Sequence, residues 1–153
     1  MGYTHYWTDE GQGKIPADAV ARIRRVTEEA YRQGLIQRED DNPRPPLVTA
    51  NEVRFNGVGD EGHETFRFAP GDDAFCFCKT ARKPYDAVVM RVLLLLAYYR
   101  PGLEIRSDGA FHDEWQPALD WFDETQTGRV CVVERISFYR PTENGRFVFD
   151  HDA

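Results

Sequence analysis

Apolar residues recur at helical spacing in three stretches of this chain and at strand spacing in most of the others. Val20, Ile23, Val26 and Ala30 share one helical stripe, with Arg22, Arg24, Arg25, Glu28 and Glu29 mostly outside it. Pro16 suits a first turn, Asp18 favours the positive end of a helix dipole and Gly34 is a stop, so the pattern predicts a helix over 16–34. From Pro84 to Tyr99 the positions Val88, Val89, Val92, Leu93, Leu95, Leu96 and Tyr99 make an apolar surface so broad that the helix carrying them must be largely buried. Trp115, Leu119 and Phe122 predict a third helix, with Pro117 tolerable only in its first turn.

Between these helices the chain reads as strands. Met1–Trp7 is rich in aromatic and β-forming residues, and a strand there puts Tyr3, His5 and Trp7 on one face and Thr4 and Tyr6 on the other. Val48–Asn56 and Glu64–Ala69 read as a hairpin, with the glycine-rich Gly57–His63 as a long, mobile tip. Ala74–Cys78 and Leu103–Ser107 are further strands, and Arg129–Tyr139 pairs with Arg146–His151 across the Pro141–Gly145 turn. The prolines and acids of Arg38–Pro46 exclude regular structure there and predict an exposed linker. The sum is a single α+β domain over residues 1–153, with a mainly antiparallel sheet of about six or seven strands and three helices packed on it.

Composition narrows the function classes. Apolar residues are 41% and aromatics 13% of the 153 residues, enough for a proper core, and the formal charge of −7 argues against binding nucleic acid in bulk or an anionic membrane. The longest apolar run, Val92–Tyr99, is too short to span a bilayer, and no charged-then-apolar leader opens the chain. The three cysteines, Cys76, Cys78 and Cys131, make a poor disulfide framework, so a reducing, cytoplasmic setting is expected. Cys76 and Cys78 form C-x-C rather than a zinc or redox pair and read as core residues. The four histidines are scattered without ligand spacing, and H-E-x-x-H is missing after His63-Glu64, so neither a metal nor a cofactor is expected.

The candidate chemistry lies in Phe75–Asp86, FCFCKTARKPYD. Lys79, Arg82 and Lys83 crowd the predicted helix start, where the dipole disfavours cations by about 0.3–1 kcal/mol each. A bound anion would reverse that cost, because free N–H groups, the dipole and the cations converge, and Thr80 adds a hydroxyl. The alternative is that the three cations pair with carboxylates of an acidic surface, with Asp86 offsetting part of the charge. The turn has no glycine, which excludes a phosphate loop of the nucleoside triphosphatase type. Tyr3, His5, Trp7 and Tyr85 could stack around the rest of a ligand, giving a site for a phosphorylated, nucleotide-like small molecule. Two rivals stand beside it. One is a nucleotide or phosphodiester hydrolase with His63 or His5 as acid–base and Glu64 or Asp108 as partner; the other is an inhibitor that docks on a host protein. A symmetric homodimer is the commonest assembly and the expected one.

The segments MGYTHYW (1–7), GHETF (62–66), FCKTARKPYD (77–86) and SDG with the following tryptophan (107–115) resemble a group of small phage and prophage proteins. The resemblance spans most of the chain and brings no activity or catalytic residues with it. It implies a setting, that of a virus-encoded accessory protein in the bacterial cytosol. Such proteins include inhibitors of host defence, some of which act as sponges that sequester nucleotide immune signals without cleaving them.

Overall fold

The computed structural model describes residues 2–72, 75–111, 113–125, 131–134, 146–149 and 151. The fold is α+β, and the described residues form two antiparallel sheets and three α-helices. The larger sheet has the order β6-β1-β7-β9-β8, formed by Phe75–Lys79, Thr4–Asp9, Leu103–Ser107, Arg146–Phe149 and Cys131–Glu134. The second sheet is built on β4 (Val53–Gly57), which pairs with β2 (Ile36–Gln37), β3 (Leu47–Val48) and β5 (Phe66–Phe68). The strands expected in one sheet are thus divided between two. The predicted strand 129–139 is described only over Cys131–Glu134, and the 141–145 turn lies outside the described residues.

The helices follow the apolar periodicity closely. They are α1 (Ala17–Arg32), α2 (Asp86–Tyr99) and α3 (Gln116–Thr125), the last with Pro117 in its first turn. Helix α2 touches β7 and β9 as well as α1 and α3, and Val92 through Ala97 are all completely buried. Each such aliphatic side chain contributes about 1.5–3 kcal/mol by leaving water, which fixes α2 as the axis of the core.

Two loops differ from expectation. Residues 49–52 are a turn, not strand: Thr49 N–H donates to Glu52 O (2.9 Å) and the Thr49 hydroxyl accepts from Asn51 and Glu52 N–H, so the chain folds back from β3 into β4. The glycine-rich tip is a 3-10 turn at Gly59–Glu61 pinned by the buried Asn56 side chain. Asn56 donates to His63 O (3.0 Å) and accepts from His63 N–H (3.1 Å), while a Cβ on Gly57 would meet the Glu61 carbonyl oxygen at 2.4 Å. The Arg38–Pro46 stretch is also tied to itself, with Arg38 N–H donating to Arg44 O (2.9 Å) and Asp41 at φ 58°.

Candidate functional site

Antiparallel register assembles the site from four distant segments. Strand β1 lies between β6 and β7, with His5 opposite Cys78 on one side and Ser107 on the other. Tyr3, His5 and Trp7 share one face, as alternation predicts, and that face is buried, while Tyr6 is half-buried. Beneath that face begins α2, and its first residue, Asp86, reaches His5.

The result is a chain of short polar contacts. Ser107 Oγ lies 2.7 Å from His5 Nδ1, and His5 Nε2 lies 2.6 Å from Asp86 Oδ1. Thr80 donates its hydroxyl to the same carboxylate oxygen (2.6 Å), and Gly109 N–H donates to Ser107 Oγ (2.9 Å). One tautomer satisfies every group: Ser107 donates to Nδ1, and Nε2–H donates to the Asp86 side-chain oxygen. The residue types are those of a nucleophile relay, yet His5 is fully buried and Ser107 is 3% exposed, so no substrate reaches the hydroxyl. The network instead ties β1, β7, the end of β6 and the start of α2 together.

Aromatic rings close around it. Tyr3 and Trp115 both meet the His5 ring edge-on, at 5.1 and 5.0 Å between centroids. Burial, reinforced by the Asp86 and Glu114 charges, raises the Tyr3 phenol above its ordinary range. The indole N–H of Trp115 is buried without a hydrogen-bond partner among the described residues. Outside these rings lies the basic turn. Ala81 and Arg82 both take left-handed backbone conformations (φ 53° and 56°), which cost non-glycine residues about 1–3 kcal/mol each and persist only where the surroundings impose them. Here Tyr3 O accepts from both Thr80 and Ala81 N–H (3.1 and 3.2 Å) and the Arg82 guanidinium lies 4.1 Å over the Tyr3 ring. Arg82 also makes a two-pronged pair with Glu114 (2.8 and 3.3 Å).

The predicted ligand residues separate into two groups. Thr80 and Tyr85 are fully buried, and Tyr85 donates to Glu64 O (2.6 Å); Tyr3, His5 and Trp7 are buried as well. Trp7 packs on Phe66 (5.2 Å between centroids), away from the cations. Lys79, Arg82 and Lys83 are the ones that reach the surface. Helix α2 starts two residues later than predicted, so Lys79 belongs to β6 and Asp86 occupies the positive end of the dipole. Tyr85 itself is the N-cap residue, without a capping side-chain bond.

Of the acid–base candidates, His63 is exposed, and the Glu64 carboxylate accepts Lys79 N–H (2.7 Å) rather than orienting His63. Asp108 accepts from Thr4 N–H (3.0 Å) and the Tyr6 hydroxyl (3.1 Å), closing the end of β1. Cys78 is buried, which pushes its thiol up to about 12 and removes it as a nucleophile; Cys76 is half-buried. His112 lies outside the described residues, and among the described ones no three His, Cys, Asp or Glu side chains are grouped to hold a metal. No described helix is long and apolar enough to cross a membrane.

Sequence reasoning missed Arg91 and Glu114 and gave Asp86 only a charge-offsetting role. A concavity of about 270 Å³ opens beside the basic turn, and Asp86, Arg91 and Glu114 line it together with Arg82 and Lys83. Arg91 is the one polar position in the run Ala87–Ala97, and that break in an apolar helix was the signal available. Burial lowers the Arg91 guanidinium below its ordinary value, and neither it nor Lys83 has a carboxylate partner among the described residues. No protein-family model, curated protein or solved structure matches this chain.

Proposed function

We propose that this chain binds a phosphorylated, nucleotide-like small molecule without cleaving it, at the concavity beside the basic turn. The observation that carries the reading is the pair Lys83 and Arg91. Both line one concavity and neither is matched by a carboxylate among the described residues, although the chain has 26 acidic residues against 19 basic ones. A phosphate between them accepts charge-assisted hydrogen bonds and offsets the desolvation of Arg91. Arg82 stands on the same rim, held by Glu114 and Tyr3. In the setting implied by the resemblance to phage and prophage proteins, the ligand is a host signal and the function is its sequestration.

Calorimetry with cyclic dinucleotides and ADP-ribose derivatives tests this. At least one should bind, with affinity about tenfold or more weaker in a Lys83→Ala/Arg91→Gln variant. Silence across the panel would overturn the reading. One observation favours a hydrolytic alternative: Asp86, which lines the concavity, is backed by His5 and could act as a positioned base. Chromatography of the ligand after incubation separates the two, since a sequestering protein returns it intact.

A further inference from the structure

We infer a second binding site, for a small planar aromatic anion, in the groove where α1, α2 and α3 meet. The groove encloses about 380 Å³, the size of a small-molecule site. Its floor is apolar, with Val26 and Ala30 from α1 and Ala87 and Val88 from α2. Trp121 of α3 lines it, and the Arg91 guanidinium lies 4.8 Å over the indole.

Charge selects the occupant. Arg22, Arg25 and Arg91 line the groove against one acid, Glu29, whose carboxylate is already taken by the Arg32 and Gln33 side chains. Arg22 is turned toward the Tyr99 hydroxyl and Thr125 O (3.5 and 3.4 Å), while Arg91 has no carboxylate partner among the described residues. A neutral apolar guest would remove more water from Arg91 and return nothing. An anion with a flat ring uses both properties at once, because a guanidinium stacked on an indole offers a plane to the ring and N–H donors to the charge. The groove adjoins the basic-turn concavity through Ala87 and Arg91 but does not depend on phosphate binding there.

Three tryptophans give three indole N–H signals in a nitrogen–proton correlation spectrum, and Trp7 and Trp115 are buried. Titration with 1-naphthoate should move the Trp121 signal, assigned with a Trp121→Phe variant, to saturation. Arg91→Gln should weaken that binding by about tenfold or more, the loss of a charge-assisted contact. Arg25→Gln, on the exposed side of α1, should weaken it less, and Lys83→Ala should leave it unchanged even if nucleotide binding is lost. The neutral 1-naphthalenemethanol and inorganic phosphate should each bind at least about tenfold more weakly than 1-naphthoate. The proposal is overturned by equal affinity for the neutral compound, by equal affinity for phosphate, or by an Arg91→Gln variant that keeps its spectrum and its affinity.

Discussion

His5 Nε2 sits 2.6 Å from the Asp86 carboxylate, and this contact joins the start of β1 in the larger sheet to the first turn of the central helix. The two residues are 81 positions apart in the chain. Removing the imidazole leaves Asp86, at the edge of the concavity, short of a donor and the buried Ser107 Oγ short of an acceptor. His5→Ala should therefore cost about 2–4 kcal/mol, within the range for breaking a buried polar network. Thermal denaturation should show Tm lower by about 5–15 °C for a chain of this size. A loss under 1 °C would mean that the network does not hold the fold.

Gly109 has a second structural role. A Cβ there would stand 2.2 Å from the Tyr3 hydroxyl oxygen, so Gly109→Ala forces Tyr3 or the turn to move. The expected cost is about 1–3 kcal/mol, as for other overpacked sites. In a Tyr3→Phe background the clash loses its nearest atom, and the same substitution should cost at least about 1 kcal/mol less, a coupling measurable by a double-mutant cycle.

Arg100 is a charged side chain only 3% exposed. It donates to Asp9 Oδ1 (2.8 Å) and to Gly13 O and Lys14 O (2.9 and 3.3 Å), fastening the loop before α1 to the end of α2. Arg100→Met removes the guanidinium from two carbonyls and from Asp9, which keeps the Gly11 N–H (3.0 Å), and should destabilise by about 3–5 kcal/mol, read from urea unfolding. The exposed Arg82–Glu114 pair is the contrast. Glu114→Gln should change stability by less than about 1 kcal/mol.

Alkaline pH should unfold the protein from a defined point. Burial raises Cys78 from about 9 to about 12, and it raises Tyr3 and Tyr85 above their ordinary value of 10. In each case the folded state keeps a proton that the unfolded chain gives up. Stability is therefore complete below pH 9 and falls as pH rises through 9 to 12, by at most about 1.4 kcal/mol per pH unit for each such group. In Cys78→Ala the onset should move up toward pH 10, where the tyrosines begin. An unchanged onset would exclude the thiol as its cause.

How much of the site was legible can be judged from its members. Tyr3, His5, Thr80, Arg82 and Tyr85 were all singled out from sequence, and register does bring them to one end of the larger sheet. Their roles differ from those foreseen, because alternation along a strand says which residues share a face but not that a helix closes over that face. The dipole reasoning placed three cations at a helix start. Two intervening residues, Pro84 and Tyr85, put Asp86 there instead. Trp7 shares the face of His5 yet packs on Phe66, since side chains two residues apart on a strand meet different neighbours.

The sequence by itself determined the α+β class, the three helices and the apolar character of α2. These are local properties, set by periodicity, turn chemistry and the requirement that apolar faces be covered. Only the tertiary structure decided that the strands form two sheets, that Ser107, His5, Asp86 and Thr80 become one network, and that Arg91 stands over Trp121 at a groove between three helices. Strand pairing and helix packing join residues 30 to more than 100 positions apart, and no local pattern carries that information. The distances created by packing, more than the residue types, join these four side chains into one hydrogen-bond network.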